Sequence, residues 1–334
     1  MTRNKGIFVA WTEVSRRSEE LAKQLGAEYY RLKRKDAPTF LAILRLMVNA
    51  IITFIKFLRS HPKVIYSFQA HPFITFTAMF YKLLSGCRVI PDLHTAAFSD
   101  YDTFPVNFFS FMLWRNCDIL LVHNEGLSQA LGDRFPSLEG KLFVLEDPIP
   151  VLSGSSDQNM LKWKNSGMTA VLISRFSRDE PIEPFLEAAV RHAHIHFYIT
   201  GNYHRAKFSL EKYREQNITF TGFLPEEEYV SLLRSADFLI VLTTRDRTLL
   251  SGGYEGLSLV KPMVVSETDT IRRYFSDSVV YARSTPDAIY KAIVEVAESV
   301  DKYTVLAAAK KKNKIREWEE KRQNLLTLLG SAIL

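Results

Sequence analysis

Residues 236–266 read ADFLIVLTTRDRTLLSGGYEGLSLVKPMVVS. The apolar run from Phe238 to Leu242 has the length and β-branched content of a strand buried on both faces. A polar loop follows from Thr243 to Ser251, then a helix opening at Gly252-Gly253, then a second apolar strand from Met263 to Ser266. Buried strands joined through a helix are the unit of a parallel sheet with right-handed crossovers, so the chain reads as α/β. Ser251 stands at the expected N-cap. The first N–H groups of a helix have no partner inside it, and the helix dipole favours an anion there, so this loop and helix start suit a phosphate. Gly252 and Gly253 lack side chains and would let an anion approach the backbone. Glu255 is expected in the first turn, placed to accept hydrogen bonds from a sugar hydroxyl. Two glycines before a helix also serve as a bare turn, so the phosphate reading draws its weight from the rest of the chain.

At 334 residues the chain exceeds one ordinary core, and two domains are expected. Its 47% hydrophobic and 24% charged residues are those of a globular protein. Cys87 and Cys117 both lie in apolar surroundings and suggest neither a disulfide framework nor a zinc site, which points to a reducing, cytoplasmic setting. The apolar run near the N-terminus is too short for a signal peptide. A net charge of +6 favours anionic partners such as nucleoside diphosphates or anionic lipids; nucleic acid is not expected, because no signature for it is found.

The first half opens with a strand at Gly6 to Trp11, a polar loop with Arg16 and Arg17, and a helix from Ser18, without the spaced glycines of a dinucleotide fingerprint. Residues 38–60, PTFLAILRLMVNAIITFIKFLRS, approach a bilayer span in length but are interrupted by Arg45, Asn49 and Lys56. A helix packed on the sheet fits them, either wholly in the core or with one edge at a lipid interface. Asp92 and His94 follow a strand, at the end where an open α/β sheet binds its ligand, and are the acid–base candidates. Residues 104–116, FPVNFFSFMLWRN, are aromatic and basic, which suits an acceptor-facing or membrane-facing helix, or plain packing. Pro148, Pro150 and the polar residues 154–159 mark a linker. The second half repeats the strand–helix alternation and ends in a helix from Val305 to Leu329 with a basic start. The expected division is residues 1–152, residues 160–304, and a C-terminal helix over 305–334 returning to the first domain.

Two doubly wound halves, with a strand–loop–GGYEG–helix–KPMVV unit in the second, resemble the GT-B glycosyltransferases, family 4 in particular. In that family a helix carrying E-x₇-E is followed, seven residues later, by the proline of a K-P-V-[IV] strand. Glu255 precedes Pro262 by that spacing and matches the second glutamate, while Arg247 occupies the position of the first. Residues 218–242, ITFTGFLPEEEYVSLLRSADFLIVL, resemble the segment on which the nucleobase rests, near Gly222 and Phe223. In SRFSRDEPIEPFLEAA, residues 174–189, Arg175 matches the phosphate-contacting arginine, and Asp179 and Glu180 stand where a lysine is expected. This segment, with Asp92-Leu93-His94, is also similar to the β-1,4-mannosyltransferases that act on dolichol-linked chitobiose, which invert.

The resemblance implies two Rossmann-like domains facing each other across a cleft and the transfer of a hexosyl group from a nucleoside-diphosphate sugar to a hydroxyl acceptor. The donor would be held by Arg175, Gly222, Phe223, Thr244, Arg247, Ser251, Gly252, Gly253, Tyr254 and Glu255. Asp92 or His94 would act as base if the reaction inverts. No metal and no cofactor beyond the donor are expected. The acceptor would be a glycan or lipid-linked precursor, with peripheral contact at the inner face of the cell membrane. Two other readings stay open: a nucleotide-sugar epimerase of the same fold, and a degenerate non-catalytic nucleotide-sugar-binding subunit, which Arg247 and the missing lysine favour.

Overall fold

The computed structural model describes residues 6–12, 16–32, 39–68, 72–93, 106–152, 162–163, 167–213 and 217–330. The chain divides into two compact units, Met1–Pro148 with Glu317–Leu334, and Ile149–Arg316.

The first unit holds strands β1 (Gly6–Trp11), β2 (Glu28–Leu32), β3 (Val64–Phe68), β4 (Arg88–Leu93), β5 (Leu120–Val122) and β6 (Leu142–Val144). They pair in parallel in the order β2-β1-β3-β4-β5-β6, with Ile7 opposite Ile65 and Phe8 opposite Tyr66. Helices α1 (Arg16–Gln24), α2 (Thr39–Ser60), α3 (Pro72–Ser85), α4 (Val106–Arg115) and α5 (Glu125–Arg134) connect them. From β2 onward the chain crosses the sheet in one direction. Right-handed crossovers therefore set α2 to α5 on one face and leave α1 on the other. The period of two along β1 feeds both cores. Ile7 and Val9 pack with Phe57, Ile74, Tyr81 and Trp114 under α2 to α4. Phe8 packs with Leu21 of α1 on the opposite side, together with Trp318, Leu325 and Leu329.

The second unit holds β7 (Met168–Leu172), β8 (Ile195–Thr200), β9 (Ile218–Gly222), β10 (Phe238–Val241), β11 (Met263–Ser266) and β12 (Val280–Ala282), again all parallel, in the order β12-β11-β10-β7-β8-β9. Its helices are α6 (Ile182–Ala189), α7 (Glu226–Ser235), α8 (Ser251–Ser258), α9 (Asp269–Phe275) and α10 (Pro286–Glu298). Thr268 and Thr285 cap α9 and α10 by accepting from the N–H groups of Ile271 and Ala288. The two strands expected around the GGYEG segment are β10 and β11, paired with Leu239 opposite Met263.

The final helix, α11 (Val300–Gly330), starts five residues before the expected Val305 and runs for 31 residues. The boundary between the two units falls inside it, between Arg316 and Glu317. Among the described residues no helix is long and apolar enough to cross a membrane.

Candidate functional site

In the second unit the chain starts at the middle of the sheet, moves outward from β7 to β9, and returns to place β10 on the other side of β7. At such a reversal the loops leave the two central strands in opposite directions and open a crevice at their carboxyl ends, the usual ligand position in an open α/β sheet. Residues 173–181 and 242–250 are these loops. Asp179 ties them together. Its carbonyl accepts from the Thr244 N–H (2.6 Å) and the Thr244 hydroxyl (3.1 Å). Its carboxylate accepts from the Thr243 hydroxyl (3.0 Å) and lies 3.7 Å from the Arg245 guanidinium.

The neighbouring Glu180 carboxylate accepts from the Ser174 hydroxyl (2.8 Å) and from the N–H groups of Arg175 (3.0 Å) and Ser177 (3.1 Å). Backbone N–H groups gathered in a turn make an anion seat, and here the seat is filled by the protein's own carboxylate. The acidic pair that departs from the family pattern is thus a structural element of this loop. The Arg175 backbone N–H is therefore committed, while its side chain is exposed. Phe176, buried beside it, takes the left-handed φ of 56° that shapes the turn. Gly201, at the end of β8, is required there: a Cβ would lie 2.2 Å from the Ser174 carbonyl oxygen.

Helix α8 corrects three expectations. Leu250 is its N-cap and Ser251 its first residue, so Ser251 does not cap it. The missing side chains of Gly252 and Gly253 face Ile173 and Phe275, where a Cβ would come within 3.0 Å and 2.9 Å. These glycines let the helix lie close to its neighbours; their bare Cα atoms do not face an open approach for an anion. The Gly253 N–H is also taken, by the Leu250 carbonyl (3.0 Å), leaving the Ser251 and Gly252 N–H groups ahead of the helix's first internal acceptor. Tyr254 points into the core and packs edge-on against Tyr274 at 5.3 Å. Glu255 falls in the second turn, buried, and accepts from the Tyr229 hydroxyl of α7 at 2.5 Å. Thr244 and Arg247 are exposed on the loop, Arg247 with φ 56° and its N–H on the Asp246 carboxylate (2.8 Å). Gly222 ends β9 with φ 72°, and Phe223 beyond it is 91% exposed.

The first unit treats its candidates differently. Asp92 is 0% exposed at the end of β4. Its two oxygens accept from Arg17 Nε (3.2 and 3.1 Å) and Arg17 Nη2 (2.8 Å). Arg17 also pairs with Asp147 and donates to the Leu145 carbonyl at 2.9 Å. Burial alone would lower the guanidinium pKa, but the two carboxylates outweigh it and hold the pKa above the usual value. A carboxylate closed off from solvent and held by a guanidinium is not placed to take a proton from an acceptor, so Asp92 serves as an anchor for Arg17. His94 lies outside the described residues. So does Asp100-Tyr101-Asp102, the chain's one Asp-x-Asp triplet, the kind of segment that can carry a divalent cation to a diphosphate. Among the described residues no three His, Cys, Asp or Glu side chains converge as a metal site.

No protein-family model matches the chain, and no curated protein sequence does. Solved structures do. Sucrose-phosphate synthase of Thermosynechococcus elongatus matches with a TM-score of 0.75 at 12% identity, over 98% of each chain. HepE of Anabaena, solved with UDP and glucose, matches with a TM-score of 0.71 at 12% identity, over 98% of this chain and 99% of that one. A glycosyltransferase of Rickettsia africae matches with a TM-score of 0.71 at 9% identity, over 100% and 99%. The chain has the GT-B fold. Within this GT-B chain Arg175 and Thr244 lie exposed on the two loops at the carboxyl ends of β7 and β10, and the second loop leads into α8. Tyr229, Glu180 and Arg17 are partners that sequence patterns did not reveal.

Proposed function

We propose that the chain is a hexosyltransferase, similar to family 4, that binds a nucleoside-diphosphate sugar at the crevice between β7 and β10. The observation that supports this most is the junction of the two loops through Asp179 at the topological switch point, with Arg175 and Thr244 exposed on those loops. The likeness in fold to HepE, solved with UDP-glucose, supports a nucleotide sugar as the ligand. Departure of a diphosphate builds negative charge, which Arg175 and the Ser251 and Gly252 N–H groups would stabilise. Glu255, oriented by Tyr229, would accept from ribose hydroxyls, and Phe223 offers an aromatic face to the base. The acceptor would be a hydroxyl on a glycan or lipid-linked precursor, met at the inner face of the cell membrane.

Calorimetry with UDP, GDP, ADP and CMP tests the site: one nucleotide binds, and Glu255→Ala weakens it. Equal heats for parent and variant with every nucleotide would remove the assignment. The seating of Glu180 on the loop amides, with Arg247 in place of a glutamate, favours a second reading, a nucleotide-sugar-binding subunit without turnover. Release of nucleoside diphosphate from the matching donor by the purified protein decides between them.

A further inference from the structure

The chain exposes 19 large hydrophobic side chains among the described residues, and 14 of them lie on α2, α3 and α4. These helices cover one face of the first sheet. On α2 the exposed positions Leu44, Met47, Ile51, Ile55 and Leu58 recur every three or four residues, so they form one stripe facing away from the core. On α3, Phe76, Phe80, Leu83 and Leu84 do the same, with Leu83 80% exposed; Phe108, Phe109 and Met112 continue the pattern on α4. Ring contacts join the stripes: Phe54 of α2 meets Phe80 at 5.4 Å, and Phe76 meets Phe109 at 5.8 Å. An apolar surface spread over three adjacent helices exceeds what a soluble monomer ordinarily shows.

Charge says what covers it. Between Asp36 and Asp92 the sequence has no acidic residue and six Lys or Arg, and α4 adds Arg115 without an acid. Lys56 and Lys82 pair with Glu28 and Asp118 at the margins. Arg59, Lys63 and Arg115 are exposed and enter no ion pair among the described residues. A twofold contact with a second copy would set this basic margin against itself. An anionic lipid surface complements it, with the apolar stripes entering the acyl boundary and the arginines at the headgroups.

We infer that the α2–α3–α4 face is an interfacial docking surface for an anionic bilayer. This deepens the membrane contact proposed above by naming the face that makes it, and it does not depend on the donor site.

Sedimentation with vesicles of phosphatidylcholine alone, or of equal parts phosphatidylcholine and phosphatidylglycerol, tests the inference on the full chain. The parent is expected to sediment with the anionic vesicles and to be released by added salt. Arg59→Gln and Arg115→Gln should each weaken partitioning about fivefold. Ile51→Glu with Leu83→Glu should weaken it more than about tenfold, with the circular dichroism spectrum and thermal midpoint of the parent. A parent that stays in the supernatant, or a folded double variant that still sediments, would overturn the inference. So would a dimer seen by sedimentation velocity without vesicles and broken by the same double substitution. Nucleotide affinity, measured on the same preparations, reports separately on the donor site.

Discussion

At the carboxyl ends of the first sheet, a buried arginine draws Asp92 and Asp147 onto itself. At the equivalent ends of the second sheet, Asp179 and Glu180 are held by hydroxyls and backbone N–H groups, and Arg175 is left exposed. In the first place a buried cation would be stranded if its carboxylate moved, which fixes the geometry. In the second the carboxylates organise loops whose cation remains available to a ligand. The same strand-end position therefore carries an anchor in one unit and a candidate site in the other.

Substitutions can break or sharpen this contrast. Asp92→Ala should have the largest effect: it leaves Arg17 buried with only Asp147, and urea unfolding is expected to show a loss of about 3 kcal/mol, the low end for a broken buried pair. A loss below about 1 kcal/mol would deny Asp92 its anchoring role and return it to the list of bases. Glu180→Ala should cost about 1.5–3 kcal/mol of stability by unseating the charge-assisted bonds to Arg175 and Ser177. If the thermal midpoint does not move, the loop is organised by something else. For Arg175→Ala the expectation is reversed, with stability within about 0.5 kcal/mol of the parent and nucleoside-diphosphate affinity about tenfold lower or more. Unchanged affinity would take the phosphate away from Arg175. Tyr229→Phe should be the mildest, about 1 kcal/mol in unfolding with a smaller loss of nucleotide affinity than Arg175→Ala; a larger loss of affinity than that would mean Tyr229 touches the ligand itself.

Much of the fold was legible because it follows from local regularities. The apolar runs at Phe238 and Met263 and the glycines between them predict two buried parallel strands and a crossover, and β10, α8 and β11 have that form. The loops after β7 and β10 and the helix α8 were legible as elements, while the packing of their residues was misread. Gly252 and Gly253 resemble phosphate glycines in sequence, yet Ile173 and Phe275, about 80 and 20 residues away along the chain, occupy the space their side chains would take. Asp92 and Arg17 are 75 positions apart, and Tyr229 and Glu255 are 26 apart, so neither pairing leaves a periodic trace. Glu180 was visible as an anomaly, but only the folded loop shows that its carboxylate occupies an anion seat.

Helix α11 bears on how the protein is made. Ala307 joins the second unit's core, while Trp318, Leu325 and Leu329 fill the first unit's core beside Phe8 and Leu21. The Trp318 indole N–H also donates to the Glu146 carbonyl at 3.0 Å, and Lys321 pairs with the Glu146 carboxylate at 2.8 Å. The first unit's strands thus wait, with the face that carries α1 only partly covered, for side chains translated after all the strands of the second unit. Completion of the two units runs opposite to the order of synthesis, and a chain cut before Glu317 would leave the earlier-made unit as the unfinished one.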